Sequence, residues 1–347
     1  MTRLPHSPVY PSMALLFDLF SGPVRMAVIE AAVELDLARI LENHSGLEDI
    51  ARTLNLKTDP AGLGFLLDAM AAMGLARKND SKYTNTELSR HFLDSQSPVF
   101  MGELIKNMVA MQHRNLHRIA GIVRNGPPEV QSGEVLSSEA KWENAVRHLA
   151  AYQRAGMADL CAELVLGLPG AATAQKILDL GGGPGIVGAR ILERLPQAVG
   201  VLADLPAIVR LAREEIEKEG MARRISFIAG DYNEVDLGTG YDIIWASHTL
   251  YYVKDREAFF RRLKGALAEN GVFVCLHEGL TCERTAPESV VLQRLSLALE
   301  GQDVSFELGE IAGYLSRAGF ARVETRVMDL PAGQGELVVA RPRRAKQ

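Results

Sequence analysis

One segment, Ile177-Leu-Asp-Leu-Gly-Gly-Gly-Pro-Gly-Ile186, constrains the fold more than any other part of the chain. An apolar strand runs into a glycine-rich turn, and the turn runs into a helix. Glycine lets a backbone approach a ligand closely, and the N-terminus of a helix presents free N–H groups. This order of elements predicts a loop that binds a nucleotide-type ligand.

Strands and helices alternate from about Gln175 onward. The apolar strand segments are 176–180, 198–204, 225–231, 241–247 and 271–277. Such alternation predicts a parallel sheet with helices on both faces. The segments 321–330 and 335–341 are too close in sequence for a parallel crossover, so they must be antiparallel. The predicted fold class is α/β, with a Rossmann-like, mostly parallel sheet that ends in an antiparallel hairpin.

The first half of the chain is predicted to be helical. Apolar residues recur at helical spacing over 13–41, with a break at Ser21-Gly22-Pro23. A helix capped by Ser45, a second helix that begins at Asp59-Pro60, and a hairpin around 78–81 follow. This order predicts an N-terminal winged-helix domain. With further helices at 99–124 and 138–166, the predicted domains are 1–98, 99–170 and 171–347.

The second helix of the winged-helix pattern does not suit a DNA groove. Residues 59–73 contain no Lys or Arg, whereas a helix that reads DNA needs basic and polar side chains. The net charge of −5 also disfavours nucleic acid and anionic membranes as partners. We expect this helix to be buried against its own domain or a second copy of the chain, and a DNA regulator is the disfavoured alternative.

Signals for membrane insertion or secretion are missing from the sequence. No apolar stretch reaches the ~18 residues of a spanning helix, and no signal peptide is readable. The cysteines, Cys161, Cys275 and Cys282, form no CxxC pair. We therefore expect a cytoplasmic protein without a disulfide framework.

Two ligands compete for the glycine-rich loop. The segment 183–188 fits the dinucleotide pattern GxGxxG, and Asp204 follows where a ribose-binding acid would lie. However, Asp179 at the end of the strand would repel a diphosphate and attract an ammonium or sulfonium group. The pattern also begins two residues after the strand, and the terminal hairpin is foreign to the usual dinucleotide fold. S-adenosylmethionine is therefore favoured over NAD, and a purely structural turn is the third interpretation.

Taken together, the sequence resembles class I S-adenosylmethionine-dependent methyltransferases. More narrowly, it is similar to the small-molecule O-methyltransferases typified by plant caffeic acid and animal acetylserotonin O-methyltransferases. The segments that carry the likeness are 179–185, 203–206, 229–232 and 242–255. The resemblance implies a homodimer formed through the winged-helix domain, a helical connector that lines the substrate pocket, and a C-terminal domain that binds S-adenosylmethionine.

The resemblance also implies roles for residues around the cofactor. Gly181, Gly183 and Gly185 would surround the methionine moiety. Asp204 would hold the ribose hydroxyls by charge-assisted hydrogen bonds, with Leu205 against the adenine. Helix capping is the alternative role for this aspartate.

Four further residues complete the implied cofactor site. Asp179 would face the cofactor from the end of the first strand of the sheet. Asp231 would reach the adenine amino group, with Tyr232 beside the ring, and helix capping is again the alternative for the aspartate. Ser247 replaces a lysine that the family has near the carboxylate of the cofactor.

The catalytic segment departs from the family pattern. Plant-type enzymes have a His-Asp-Trp sequence whose His is the general base. Here the stretch is Ser247-His-Thr-Leu-Tyr-Tyr-Val-Lys-Asp255, which puts Tyr251 at the His position and His248 three residues earlier. In this respect the segment resembles the bacteriochlorophyllide C-20 methyltransferase. A tyrosine has a pKa near ~10 and is better suited to orient a substrate, whereas a histidine titrates near neutrality.

An acid that supports the base is expected after the fifth strand of the sheet. Glu278 is the natural candidate, and His277 is the alternative because the register is offset by one residue from the plant pattern. No metal site is expected. His113 and His117 have helical i, i+4 spacing, but no third ligand accompanies them.

The favoured function is methyl transfer from S-adenosylmethionine to a small aromatic or polycyclic metabolite. O-methylation is the default of the family. C-methylation is the alternative because the plant-type base is missing. A homologue that binds the cofactor without transferring a methyl group is a further alternative.

Overall fold

The computed structural model describes residues 10–129, 139–331 and 333–342. It separates into two compact units, Met1–Val109 and Ala110–Gln347. The predicted division at 98 and 170 stays a prediction.

The first unit has the element order of a winged helix. Its buried core includes Leu37, Ile50, Leu67 and Met70. Its two strands form an antiparallel hairpin. The elements are α1 (Tyr10–Glu34), α2 (Leu37–Leu41), α3 (Leu47–Thr53), α4 (Ala61–Ala72), β1 (Ala76–Asn79), β2 (Lys82–Asn85) and α5 (Glu87–Phe92), and α6 (Gly102–His113) crosses the boundary of the unit.

Helix α4 has one buried face and one exposed face. Leu63, Leu67 and Met70 are buried, and their spacing places them on a single stripe. Phe65 lies on another face and is 74% exposed. The helix therefore packs against its own unit with one stripe and leaves an aromatic side chain uncovered.

Two local predictions for the first unit are wrong. Helix α1 runs through Pro23 without a break, although proline removes one helical hydrogen bond. The Ser21 hydroxyl donates to the Asp18 carbonyl (2.6 Å), and Arg25 pairs with the Asp18 carboxylate (2.7 Å), so side chains support the backbone on both sides of the proline. Helix α3 has Gly46 as N-cap instead of Ser45, whose carbonyl accepts a backbone N–H from strand β2.

The second unit alternates strands and helices, as the sequence predicts. Its first elements are α7 (Ile119–Asn125), α8 (Glu139–Tyr152), a π-helical turn (Gln153–Met157), α9 (Ala158–Leu166), β3 (Lys176–Leu180), α10 (Ile186–Arg194), β4 (Val199–Asp204), α11 (Pro206–Lys218) and β5 (Ile225–Ala229). The remaining elements are β6 (Tyr241–Ser247), α12 (Arg256–Ala266), β7 (Leu267–Leu280), α13 (Glu288–Leu299), β8 (Phe306–Glu307), α14 (Glu310–Arg317), β9 (Phe320–Leu330) and β10 (Gly333–Pro342).

The sheet of the second unit has the strand order β5-β4-β3-β6-β7-β10-β9, and β8 pairs separately with β7. Strands β5, β4, β3, β6 and β7 are parallel, and β10 is antiparallel to both β7 and β9. The chain moves from β3 to one side for β4 and β5, and then to the other side for β6 and β7. Ligands bind at such a switch point, beyond the carboxyl ends of the strands. The loops after β3 and β6 are therefore the expected place for a site.

Both faces of the sheet are buried. Ile177 of β3 and Trp245 of β6 belong to one core cluster, and Leu178 and Ile244 belong to another. The alternation follows the two-residue period of a strand, and burial on both faces is typical of parallel sheets. The strands that carry the candidate site are therefore held rigidly. Among the described residues, no helix combines the length and apolar character needed to cross a bilayer.

Candidate active site

The glycine-rich loop after β3 is held by its own backbone hydrogen bonds. Gly181, Gly183 and Gly185 have φ angles of 63°, 56° and 77°, in the left-handed region that favours glycine. The N–H groups of Gly181 and Gly185 donate to backbone carbonyls (2.8 and 3.0 Å), and that of Gly183 donates to the Asp204 carboxylate (2.9 Å). These N–H groups are already used within the protein, so the loop does not offer them to a diphosphate.

Asp204 ends β4 and joins the loop to the next helix. Its Oδ2 accepts the Gly183 N–H, and its Oδ1 accepts the Leu205 N–H (2.8 Å) at the start of α11. At Gly183 a Cβ atom would meet nothing within 4 Å, so space is open beside the loop. This space next to a carboxylate suits a ligand with a ribose and a cationic amino-acid part. The residues of the loop therefore fit S-adenosylmethionine.

The structure places Asp179 under the loop. Its side chain is buried, with 6% of the residue exposed, and it accepts the Gly188 N–H (3.1 Å). A Cβ atom at Gly182 would lie 2.8 Å from the Asp179 carboxyl carbon. Burial raises the pKa of Asp179 to about 7, with a smaller contribution from the charge of Asp204, against the effect of the Gly188 hydrogen bond. The carboxyl group packs against the backbone of the loop, and the expectation that Asp179 faces the cofactor stays a prediction.

Asp231 follows β5 and is held by neighbouring side chains. Its Oδ1 accepts the backbone N–H of Asn233 (2.8 Å), and Lys254 donates to its Oδ2 (3.0 Å). Burial acts to raise the pKa of Asp231, but these hydrogen bonds outweigh it and the pKa is lowered. The carboxylate is therefore ionised and partly exposed, and its predicted contact with an adenine stays a prediction.

Tyr232 lies in the core of the second unit. Its hydroxyl donates to the Thr249 carbonyl (2.7 Å), and its ring centroid lies 5.4 Å from that of Phe259. The residue is buried. The hydroxyl and the ring make contacts within the core, and the predicted position of Tyr232 beside an adenine ring stays a prediction.

The end of β6 touches the glycine-rich loop. Ser247 is the last residue of β6 and pairs in register with Leu276 of β7. Two residues later, Thr249 packs against Gly181, where a Cβ atom would lie 2.0 Å from the Thr249 Oγ1. The segment that carries the catalytic candidates is therefore in direct contact with the loop that carries the cofactor candidates.

His277 lies beneath this segment and is fully buried. Its Nε2 accepts the backbone N–H groups of Thr249 (3.2 Å) and Leu250 (3.1 Å), so the ring proton lies on Nδ1. Burial holds the pKa of His277 well below its ordinary value, and the neighbouring His248 adds to this effect. His277 is therefore a neutral support for the backbone, and the structure does not bring it to the base as a supporting acid.

Glu278 receives three side chains on one oxygen. Its Oε2 accepts hydrogen bonds from His248 Nδ1 (2.8 Å), the Tyr251 hydroxyl and Arg294 Nη2 (2.7 Å). Burial acts to raise the pKa of Glu278, but the charge and hydrogen bond of His248, followed by those of Arg294 and Tyr251, hold it well below its ordinary value. Because Glu278 is ionised, Nδ1 of His248 is the donor in this contact, and in the neutral form of the ring Nε2 is the acceptor.

His248 adopts an unusual backbone conformation. Its φ is 50°, in the left-handed region that a residue with a Cβ atom rarely adopts. Its side chain is 36% exposed, whereas His277 beside it is fully buried. Residues held in such conformations are concentrated at functional sites. The strained backbone and the exposed ring distinguish His248 from the other candidates.

The structure makes Tyr251 a hydrogen-bond donor. Its hydroxyl donates to Glu278 and accepts from Arg294 Nη2 (2.9 Å), and its ring stacks on Phe306 with centroids 5.1 Å apart. Burial and the charge of Glu278 raise the pKa of Tyr251 well above 10. The single proton of the hydroxyl is used on Glu278, which favours Tyr251 as a hydrogen-bond donor, and its predicted catalytic role stays a prediction.

Arg294 is the member of this cluster that the sequence analysis missed. It lies on α13, and its side chain is 15% exposed. The surrounding sequence, Val-Val-Leu-Gln-Arg-Leu-Ser-Leu, contains no other charge. A single arginine in an apolar helix must find a partner when it is buried. The sequence therefore indicates that Arg294 has a partner, but it does not identify that partner.

Aromatic side chains lie near the cluster. The ring centroids of Trp142 on α8 and Tyr252 are 5.9 Å apart. The pKa of Tyr152, at the end of α8, is raised to about 12 by burial, with the charge of Glu278 as the next cause. Within the described ranges, no three His, Cys, Asp or Glu side chains are placed to hold a metal ion.

The fold and the site together define a class of enzyme. A mostly parallel sheet with a terminal antiparallel hairpin, a glycine-rich loop after β3 and an acid at the end of β4 fit a class I S-adenosylmethionine-dependent methyltransferase. Residues 137–321 match the O-methyltransferase domain, and residues 17–95 match the O-methyltransferase dimerisation domain. The chain belongs to the O-methyltransferase family, and S-adenosylmethionine is its methyl donor.

Individual relatives match along most of the chain. It is 24% identical to the 3-hydroxy-5-methyl-1-naphthoate 3-O-methyltransferase of Streptomyces sahachiroi, over 92% of this chain and 93% of that protein. It is 26% identical to an N,N-dimethyltransferase of Streptomyces rimosus, over 99% and 100%. Human N-acetylserotonin methyltransferase, solved with S-adenosylmethionine, has the same fold, with a TM-score of 0.77 at 20% identity over 98% and 99% of the two chains. The predicted fold class, activity and cofactor are thus confirmed.

Proposed function

We propose that this methyltransferase acts on a hydroxyl group of a small aromatic or polycyclic metabolite, with His248 as general base. The contact between His248 Nδ1 and Glu278 Oε2 (2.8 Å) carries the proposal. An ionised carboxylate that holds one ring nitrogen fixes the tautomer and leaves the other nitrogen to take a proton. The hydroxyl proton of the acceptor then moves to Nε2, and Glu278 stabilises the imidazolium that forms.

The chemistry of the methyl donor determines which tasks are left to the residues of this chain. When bound, S-adenosylmethionine supplies an already activated sulfonium methyl group. The residues of this chain therefore have two tasks, to orient the acceptor and to remove its proton. His248 removes the proton, Glu278 orients His248, and Tyr251 and Arg294 hold Glu278.

Aromatic surroundings support a flat acceptor. Tyr152 and Tyr252 lie close enough to Glu278 for its charge to add to burial in raising their pKa values. Trp142 contacts Tyr252, and aromatic side chains stack readily on planar rings. The relatives named above include enzymes for a hydroxynaphthoate and for N-acetylserotonin, both of which are aromatic. The helical connector 99–170, which contains Trp142 and Tyr152, is proposed to line the acceptor pocket.

C-methylation is the second candidate. It is favoured by Tyr251 at the position of the family histidine, the feature in which the segment resembles the C-20 methyltransferase. An acceptor carbon that is already nucleophilic needs less help from a base. Analysis of the product distinguishes the two candidates, because an O-methyl and a C-methyl group differ clearly in carbon chemical shift.

The experiment uses purified protein, methyl-labelled S-adenosylmethionine, and two acceptors, 3-hydroxy-1-naphthoate and N-acetylserotonin, together with a metabolite extract. Label in an O-methyl product supports the proposal. Label in a C-methyl product selects the second candidate. Cofactor binding without label in any product identifies a homologue that does not transfer a methyl group.

We also propose that two copies of the chain associate through the first unit. Helix α1 leaves Leu15, Phe17, Leu19 and Phe20 exposed, with Phe20 68% exposed. An apolar face of this extent on one helix indicates a protein partner. Light scattering should give twice the chain mass for the wild type, and the Phe17→Glu/Phe20→Glu variant should shift towards the chain mass. The cytoplasmic location predicted from the cysteines stays a prediction.

A further inference from the structure

We propose that Arg294 is a positioning residue that sets the pH at which His248 accepts a proton, and that it acts through Glu278. The proposal deepens the proposed function and rests on it where it concerns catalysis. Arg294 does not enter the chemistry itself, because its contacts are with Glu278 and Tyr251. Its effect on the base is electrostatic and geometric.

Arg294 and His248 share one oxygen atom. Arg294 Nη2 lies 2.7 Å from Glu278 Oε2, and His248 Nδ1 lies 2.8 Å from the same atom. The same Nη2 lies 2.9 Å from the Tyr251 hydroxyl, and the guanidinium carbon lies 4.9 Å from the centre of the Tyr251 ring. Arg294 therefore fixes both the carboxylate and the phenol on either side of it.

Sharing the oxygen has a defined electrostatic result. A carboxylate alone beside an imidazole favours the imidazolium, because the opposite charges attract. A permanent cation on the same carboxylate oxygen offsets part of that attraction. Arg294 therefore weakens the attraction of Glu278 for a positive charge on the His248 ring, and a neutral ring is the form that accepts a proton from the acceptor.

Other titratable groups face Glu278 from the surrounding elements. His277 comes from β7 itself, Tyr251 and Tyr252 come from the turn after β6, and Tyr152 comes from α8. Burial lowers the pKa of His277 and raises the pKa of each tyrosine, so all four are neutral at physiological pH. The permanent positive charge of this cluster is therefore that of Arg294.

The helix that carries Arg294 is anchored independently. Asn115 is buried and donates to the Ser296 hydroxyl (2.9 Å) and to Glu300 (2.8 Å). Arg114 pairs with Glu300 at 2.8 Å. These contacts lie on the C-terminal part of α13, within two turns of Arg294. The guanidinium is thus held in place by the helix as well as by its partners at the site.

The test is a titration of the His248 ring by proton–carbon NMR, assigned with the His248→Gln variant. In Arg294→Met and in Arg294→Gln, the midpoint should move to higher pH by about 0.5 to 1 unit, because a charge in contact with the carboxylate is lost. Arg294→Lys keeps the charge and should stay within about 0.3 unit of the wild type. Arg317→Met removes an exposed arginine that pairs with Glu257 and is the matched control, with no shift expected.

Several results would overturn the proposal. These are an unchanged midpoint in both neutral variants, or a shift in Arg294→Lys as large as theirs. Calorimetric affinity for S-adenosylmethionine within about threefold of the wild type verifies that a variant is folded, since the side-chain hydrogen bonds of Arg294 among the described residues go to Tyr251 and Glu278. If Arg294→Met does not fold, Arg294→Gln decides alone.

Kinetics separate this proposal from the proposed function. If His248 is the base, the acidic limb of the kcat/KM profile of Arg294→Gln should move by the same amount as the NMR midpoint. If the NMR midpoint of His248 moves while the acidic limb of kcat/KM does not, the role of Arg294 is supported and the role of His248 as base is contradicted. An unmoved midpoint contradicts the role of Arg294 whatever the acceptor is.

Discussion

The loop after β3 and the cluster around Glu278 lie at the same edge of the sheet, but different kinds of contact hold them. Backbone N–H groups and carbonyls hold the loop, with one carboxylate from the neighbouring strand. Side chains from β7, from the turn after β6 and from α13 hold the cluster. A loop held by backbone hydrogen bonds tolerates few residue types at its glycine positions. A cluster held by side chains accepts replacements that keep its charges balanced. This difference is consistent with a loop that keeps the predicted motif beside a catalytic segment that is predicted to depart from it.

The largest effect is expected for His248→Gln, which tests the side-chain part of the site. Glutamine keeps a donor for Glu278 but cannot take a proton at neutral pH. We expect kcat to fall by about 10²- to 10⁴-fold, the usual contribution of a general base. Affinity for S-adenosylmethionine, measured by calorimetry, should stay within about threefold of the wild type. His117→Gln, at an exposed position, is the control, and an active His248→Gln enzyme would exclude His248 as the base.

The backbone part of the site is tested by Gly181→Ala. The new Cβ atom would lie 2.0 Å from the Thr249 Oγ1, at a φ of 63°. Overpacking and an unfavourable φ each cost about 1–3 kcal/mol, so affinity for S-adenosylmethionine should fall by about 100-fold. Gly62→Ala, at a helical position with open space around it, should bind the cofactor like the wild type. If Gly181→Ala binds S-adenosylmethionine as tightly as the wild type, the loop tolerates an added side chain in the way expected of the cluster around Glu278.

Asp179→Asn tests the carboxyl group beneath the loop. Burial raises the pKa of Asp179 to about 7 in the folded protein, above the ordinary value of 3.8, so the folded state binds its proton more tightly. The stability that this proton provides is complete below about pH 4 and is lost as the pH rises towards 7. Asparagine has no such loss, so the variant should match the wild type at pH 4 and exceed it by roughly 4 kcal/mol at pH 8. Chemical denaturation at both pH values measures the free energy of unfolding. A difference between variant and wild type that is the same at pH 4 and pH 8 would contradict a buried, titrating Asp179.

The smallest effect is expected for Tyr251→Phe. The ring still stacks on Phe306, and only the hydrogen bonds with Glu278 and Arg294 are lost. Loss of hydrogen bonds to a charged group costs about 1.5 kcal/mol, so kcat should fall by about tenfold with little change in cofactor affinity. A loss as large as that of His248→Gln would return Tyr251 to the role of base. Steady-state kinetics of both variants with the same acceptor provide the comparison.

Local patterns predicted the second unit well and the helix boundaries of the first unit less well. The ends of β3 and β6 agree with the predicted 176–180 and 241–247, because apolar runs bounded by polar or glycine residues define buried strands. Pro23 and Ser45 misled the prediction, because side-chain and strand contacts outside the local sequence decided those positions. Neither contact is visible in a propensity or capping pattern.

The functional residues divide in the same way. The glycine-rich loop and Asp204 were predictable because their contacts form between β3 and the adjacent strand β4, and a recurring motif encodes them. The roles of His277 and Glu278 were not predictable from sequence. Adjacent residues of a strand point to opposite faces, and a pattern does not say which face meets the base.

The sequence by itself determined the sheet, the cofactor loop and the enzyme class, because each follows from periodicity and from glycines that the backbone requires. The tertiary structure alone decided how the catalytic candidates are arranged. Arg294 reaches Glu278 across 16 residues of chain, and His248 reaches it across 30. The partners of a buried charge are set by how helices and strands pack. A single sequence does not show which distant residues lie close together in space. His248 was therefore one candidate among four in the sequence and is the exposed, carboxylate-bound imidazole in the fold.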